Sequence, residues 1–459
     1  MPSIVTVNVS LLQAPLPSTL QQTGALISVG ATNTSAGTLT LLTELSDLTA
    51  ILDGALATSA LTWTTNVATV TTAAPHGIPS GDTVTVTIAG VTPSQYNGTF
   101  QATSTGASTF TYPLTSNPGG AATIQGTWIL GDVSELVAMA TTFFAQGTAQ
   151  SVYVLELGTL DPADAVTALS TWLTANPGIL YGVVVPREWD GLSQLLTLIA
   201  SYESTTAKFY FWVTTTTGTY SDYTALMKCV IALVEAPGIP STEFSICALF
   251  YRALAYRPSN TNKVAPFAFG FVFGVTPYPT RGNNTLLTTL KAASINYIGT
   301  GAEGGLTNAI LLWGTTKDGR DFTYWYSIDW MQINAQIALA NEVINGANNP
   351  TNPLYYDQPG INRLQARLAG VVSNAITFGL ATGTVTQTEL DGPDLDVALD
   401  NNSFVNQAVV NAIPFVPYAT ANPSDYREGT YQGLTIIYIP ARGFISIVLN
   451  IVASDFVTF

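Results

Sequence analysis

The chain carries one histidine, His76, and two cysteines, Cys229 and Cys247. A lone histidine leaves almost no room for imidazole acid/base chemistry or a histidine-ligated zinc. Two cysteines are too few for a disulfide framework and lack metal-ligand spacing, so both read as reduced, mostly buried thiols. Charge is scarce as well. Asp, Glu, Lys and Arg make up 9% of 459 residues, against roughly 25% in an average soluble protein. The net charge is -15 with only 14 Lys and Arg, too few cations for a nucleic-acid partner. No apolar run reaches the length of about 18 residues that a membrane span needs, and no basic region precedes an apolar run at the amino terminus. The expectation is a soluble protein made in the cytoplasm, with no membrane partner.

Abundant Thr, Ser, Asn and Gln supply the polar surface instead, which suits buried subunit contacts, where charge is depleted. The length implies about two to four domains. Strand text at GALISVG (from Gly24) and Thr38–Leu42 precedes a helix expected over Leu45–Leu56. From Thr62 to Trp128 short β-rich runs alternate with turn text such as Pro75-His76-Gly77, Asn97-Gly98 and Pro118-Gly119-Gly120, the mark of a small all-β insert. Helix and strand then alternate. Helices are expected at Val133–Ala145, Ala163–Ala175, Leu192–Tyr202 and Tyr223–Val234, and strands at Ser151–Leu157, Leu180–Val185, Lys208–Val213 and Phe244–Leu249. Asp161-Pro162 caps the second of these helices, and the βαβ spacing implies a largely parallel, covered sheet. Further on, Leu286–Ala293 reads as helix, and Ile295–Ile298, Ala309–Trp313 and Asp321–Tyr324 as strands. The long helices are expected at Ile328–Ala347 and Ile361–Gly379.

Both ends of the chain are strand-like. Ile445, Ile447, Leu449 and Ile451 share one face of FISIVLNI at period two, and Ile4, Val5, Val7 and Val9 belong to a similar run near the start. Pro15 and Pro17 set off the first strand, and Pro440 with Gly443 the last, so each reads as an arm on a hinge. An unpaired strand edge must be covered or used.

Motifs with chemical content are few. Gly299–Gly304 matches G-x-G-x-x-G, yet LTNAILLWG follows it as another strand, so a phosphate would find no helix N-terminus; a hairpin is the reading. Asp391, Asp394, Asp396 and Asp400 form an acidic loop without EF-hand spacing. His76 stands in a turn with no nucleophile pattern around it. Asp318-Gly319-Arg320-Asp321 reads as a turn, and Tyr324, Trp325, Tyr326 and Trp330 as core or interface. No enzyme, cofactor or metal is expected.

Several segments together resemble the tail sheath proteins of contractile-tailed bacteriophages. They are INYIGTGAEGG, ILLWGTTKDGRDFTYWYSIDWMQINAQIALANEV and YYDQPGINRLQARLAGVVSNAITFGL, between Ser294 and Leu380. The insert is similar to small β-domains of phage structural proteins, in TTAAPHGIPSGDTVTVTIAGV, YNGTFQAT and TFTYPL. The resemblance implies an α/β (α+β) multidomain, sheath-like core with extended terminal β arms and an outward all-β insert. The expected divisions are an arm over 1–20, an α/β domain over 21–61 and 129–260, the insert over 62–128, an α+β domain near the tube over 261–440, and an arm over 441–459. It also implies a virion subunit, assembled in the host cytoplasm, that polymerises with itself by strand exchange. Its further implied partners are a tail tube protein and baseplate and tail terminator proteins, and its contraction serves genome ejection. The alternative is a phage decoration or host-surface-binding protein built around the insert.

Overall fold

The computed structural model describes residues 19–53, 56–204, 207–223, 227–279, 284–300, 308–381, 404–405 and 408–445, with the backbone alone at 404–405. Strand β1 (Gly24–Ser28), β2 (Leu39–Leu42) and the short helix α1 (Leu45–Thr49) come first. Six antiparallel strands then close a barrel in the order β3-β4-β7-β6-β5-β8. They are β3 (Leu56–Thr64), β4 (Val67–Thr72), β5 (Thr83–Ala89), β6 (Gly98–Gly106), β7 (Thr109–Pro113) and β8 (Thr127–Leu130). Closure removes free edges. Val70, Val86, Phe110, Tyr112 and Trp128 fill the interior. Thr62, Thr69, Thr111, Thr103 and Thr83 stand opposite one another across β3, β4, β7, β6 and β5 as an outward hydroxyl row.

Strand β8 runs directly into α2 (Gly131–Phe144), which returns the chain to the sheet. There follow β9 (Val152–Glu156), α3 (Pro162–Ala175), β10 (Gly182–Val184), α4 (Ser193–Ser201), β11 (Tyr210–Thr215), β12 (Val230–Val234) and α5 (Ile246–Leu254). The sheet order is β12-β11-β10-β1-β9-β2, parallel except for β2, which pairs antiparallel with β9 at one edge. Alternation along the strands splits the packing. Leu26, Val154, Val184 and Trp212 face a core shared with α2 and α5. Ala25, Ile27, Val183 and Phe211 face a second core with α3 and α4. Burial on both faces explains the continuous apolar strand text.

The remainder comprises α6 (Asn284–Ala292), the hairpin β13 (Tyr297–Thr300) and β14 (Ala309–Leu312), and the helices α7 (Phe322–Asn348) and α8 (Gln358–Thr377). Next come β15 (Phe404–Val405), β16 (Ala408–Ala412), α9 (Phe415–Ala421), α10 (Pro423–Glu428) and β17 (Leu434–Ile437). Strands β15, β16 and β17 form an antiparallel sheet, which α8 holds through Gln365 Nε2 donating to the Val410 carbonyl at 2.8 Å. Glu342 of α7, 4% exposed, pairs with Arg363 at 2.5 Å and Arg367 at 2.6 Å and so joins α7 to α8.

Four elements differ from the sequence expectation. The helix expected over Leu45–Leu56 stops at Thr49, because Asn33 N–H donates to the Ile51 carbonyl and Asp53 N–H to that of Ala31, which draws the chain out toward β3. The expected helix Tyr223–Val234 gives way to strand β12, and the expected strand Phe244–Leu249 to helix α5. VIALV and ICALFYRAL are both nearly all buried, and continuous apolar text carries neither the period of a strand nor that of a helix. Asp321–Tyr324 is the start of α7 rather than a strand. The aromatic side chains there are buried on every side, so no polar face marks the helical period.

Candidate functional site

The head of α7 is where the α/β sheet, the C-terminal sheet and the departing carboxyl-terminal segment meet. The preceding turn is built around Asp318. Its Oδ1 accepts from Arg320 N–H at 2.9 Å and from the Thr316 hydroxyl, and its Oδ2 accepts from Trp325 Nε1 at 2.9 Å. Arg320 lies 3.8 Å from Asp318 and packs over Tyr324 and Trp325. Tyr324, Trp325 and Tyr326 are buried, as core or interface residues would be.

One turn further, Asp329 enters the core. Its Oδ2 accepts from the hydroxyls of Tyr181 at 2.9 Å and Tyr210 at 2.8 Å, and its Oδ1 faces Lys228 Nζ at 3.9 Å. Lys228 also sits over the Trp325 ring. Burial pushes the Asp329 carboxyl up, while Lys228 and the tyrosine hydroxyls oppose that shift. Burial also drives both tyrosine hydroxyls well above their ordinary range, so they stay protonated and donate. This group fixes α7 against the sheet.

The carboxyl-terminal exit is pinned to the same helix head. Pro440 bridges Ala381, Ala441 N–H donates to the Leu380 carbonyl, and Arg442 lies over the Tyr324 ring. Gly443 N–H donates to Asp321 Oδ2 at 2.8 Å. A Cβ on Gly443 would stand 2.8 Å from Pro266 Cβ and 3.1 Å from that carboxylate oxygen, so the close approach calls for glycine. Of the candidate arm and hinge residues, Pro440, Gly443 and the half-buried Ile445 are therefore placed together here. Ile4, Val5, Val7, Val9, Pro15, Pro17, Ile447, Leu449 and Ile451 lie outside the described residues, as do Asp391, Asp394, Asp396 and Asp400.

The remaining motifs have structural partners. Gly299 and Thr300 belong to β13 of the antiparallel hairpin, and Gly301–Gly304 lie outside the described residues. His76 is buried, accepts from Ile78 N–H through Nδ1, faces the Thr109 carbonyl through Nε2, and packs on Phe110 and Trp128. Both cysteines are buried with their thiol pKa values raised by desolvation.

Among the buried acids that sequence reasoning missed are Asp329 and Glu156. Asp329 was hidden in an aromatic helix start; a lone acid inside an otherwise apolar run was its signal. Glu156 lies at the end of β9, beside the point where strand order reverses around β1, the place where open α/β sheets bind ligands. Its carboxylate, 1% exposed, accepts from the N–H groups of Gly30, Thr32 and Gly158 and from the hydroxyls of Ser28 and Thr32. The loop amides that a phosphate would use are thus given to the chain's own carboxylate. Among the described residues, no group of His, Cys, Asp and Glu is arranged to hold a metal ion, and no helix is long and apolar enough to cross a membrane.

No family model matches the chain, and no curated protein matches it. Among solved structures the chain is similar to one in a cryo-EM structure of the anti-feeding prophage baseplate, 6-fold symmetrised. The TM-score is 0.55 at 12% sequence identity, over 99% of this chain and 99% of that chain. At that identity the likeness is one of fold, a mixed α/β multidomain architecture.

Proposed function

We propose that the chain is a structural subunit of a contractile, phage-like tail or injection particle, and that it is a sheath-type protomer. The observation that supports this reading best is the end-to-end fold likeness to a chain of a contractile-particle baseplate. Each subunit lends its N-terminal strand, with Ile4, Val5, Val7 and Val9, and its C-terminal strand, with Ile445, Ile447, Leu449 and Ile451, to sheets of neighbouring copies. Strand β17 is the natural acceptor, since among the described residues it pairs within the subunit only with β16. Heterologous contacts of this kind repeat into rings or helical tubes. The stack encloses a tube protein and ends on baseplate and terminator proteins.

Contraction proceeds from a kinetically trapped extended state. Near-rigid subunits rotate and repack, and the arms bend at Pro15, Pro17, Pro440 and Gly443. The bond from Gly443 N–H to Asp321 would have to break, or stay as the pivot, when this hinge bends. The energy resides in subunit packing, which supports a role without nucleotide hydrolysis. Sedimentation of the purified chain tests the reading: species far larger than 48.4 kDa are expected, and a monomer at every concentration and ionic strength contradicts it.

A second reading places the subunit in a finite ring at the baseplate, favoured by the similar structure being that of a baseplate. Electron microscopy separates the two, because a sheath gives long hollow cylinders and a baseplate component gives single rings.

A further inference from the structure

Lys228 and Asp329 make a poor ion pair. Their facing atoms stand 3.9 Å apart, with side chains 2% and 0% exposed, whereas a charge-assisted bond that offsets burial closes to roughly 2.7–2.9 Å. Asp329 Oδ1 has no hydrogen-bond partner among the described residues. Oδ2, by contrast, accepts from two tyrosine hydroxyls, Tyr181 at 2.9 Å and Tyr210 at 2.8 Å. Gln21 Nε2 donates to the Tyr181 hydroxyl at 3.4 Å, which directs the tyrosine proton at the carboxylate. The Trp325 ring, itself buried, lies 4.5 Å from Lys228 Nζ.

These are the parts of an amide-forming centre: a primary amine facing a carboxyl carbon, one oxygen free to leave, and two donors fixed on the other. Burial raises the Asp329 carboxyl pKa, so a proton passes readily from the Lys228 ammonium to Oδ1. The neutral Nζ then attacks Cγ, and the charge that develops on Oδ2 falls where both hydroxyls already donate. Oδ1 takes a second proton from the nitrogen and leaves as water. The C–N bond forms and the C–Oδ1 bond breaks, so an ammonium and a carboxylate become a neutral amide and one water, with no other reactant. In dilute solution water reverses such a reaction. Here the two groups are held together, which supplies an effective molarity of about 10⁵ M or more, and condensation removes two charges from a site that solvates neither well.

We propose that Lys228 and Asp329 condense into an intramolecular isopeptide bond, with the Tyr181 and Tyr210 hydroxyls as the donors that stabilise the oxyanion. The bond ties the entry of β12 covalently to α7 and closes a long loop of the unfolded chain. A subunit locked in this way transmits load between the sheet and α7 without their parting. The chemistry does not depend on the assembly reading.

Mass spectrometry of the purified full chain, aged for a day, tests the proposal. The expected intact mass is that of the sequence less one water, with a branched peptide joining the segments around Lys228 and Asp329 after proteolysis. K228R, which keeps the charge but has no primary amine, should retain the full mass. A parent chain of full mass overturns the proposal, as does a branch through Lys208, the other lysine whose charge Asp329 feels. Water loss that persists in K228R overturns it too, being the mark of a cyclised Asp-Gly step such as Asp318-Gly319. If K228R does not fold, the presence or absence of the branched peptide in the parent chain decides alone. Followed from cell-free synthesis, Y210F is expected to form the bond about a hundredfold more slowly; the parental rate overturns the role of that hydroxyl.

Discussion

Asp329 of α7 and Lys228, at the entry to β12, face each other across 3.9 Å with side chains 0% and 2% exposed. A buried pair costs desolvation on both sides, and removing one partner leaves the other charge uncompensated. Asp329→Ala is expected to lower stability by about 3–5 kcal/mol, measured by urea unfolding. Asp329→Ala combined with Lys228→Met should recover part of that loss. A double variant no more stable than Asp329→Ala would show that the tyrosine hydrogen bonds, rather than the lysine charge, dominate.

Glu188 responds to pH in the opposite sense from most carboxylates. Burial, then the charges of Glu135 and Asp161, push its carboxyl up to about 7. The folded state therefore binds this proton more tightly than the unfolded state. Its contribution is most favourable below the ordinary value of about 4.5, declines as pH rises from about 4.5 to about 7, and is flat above. Glu188→Gln should add about 2–3 kcal/mol at pH 8 and little at pH 4.5. Thermal midpoints at both pH values check this; an equal effect at the two would refute the assignment.

Glu342 supplies the opposite slope. Hydrogen bonds and charge from Arg367 and Arg363 outweigh desolvation and depress its carboxyl. Its contribution is present above the ordinary carboxylate range and is lost as pH falls through the depressed folded value. Glu342→Gln is expected to cost about 1–3 kcal/mol at neutral pH and to loosen α8 from α7. Hydrogen exchange in α8 gives the local readout; exchange unchanged from the parent would contradict the clamp.

How much of this could be read from the sequence depended on whether a residue's partners were local. Asp161 with Pro162 announces α3, and the observed bond from Asp164 N–H to Asp161 is a contact three residues long. The all-β character of the insert was legible from its turns, because Asn97-Gly98 and Pro118-Gly119-Gly120 carry backbone information themselves, whereas its closure into a barrel was not. VIALV and ICALFYRAL were not legible, since their burial is imposed by layers distant in sequence. The same holds for Asp329, whose partners Tyr181 and Tyr210 lie 148 and 119 residues away. The exit at Gly443 was visible as a break in strand text, whereas its bond to Asp321 spans 122 residues.

Asp321 controls where the terminal segment starts. Its Oδ2 holds Gly443, and burial pushes its carboxyl up against the opposing hydrogen bond from Gly443. Asp321→Ala should leave the body folded but free the exit, which is expected to slow assembly several-fold by widening the range of directions in which the strand departs. Light scattering during assembly measures it. Assembly at the parental rate, with an unchanged thermal midpoint, would show that the exit needs no anchor.

On the proposed reading the chain polymerises through its terminal strand. Electron microscopy of the purified full chain beside a version lacking Phe444–Phe459 tests it most directly. Rings or hollow tubes are expected from the full chain and folded single subunits from the shortened one; tubes formed by the shortened chain would overturn polymerisation through this strand.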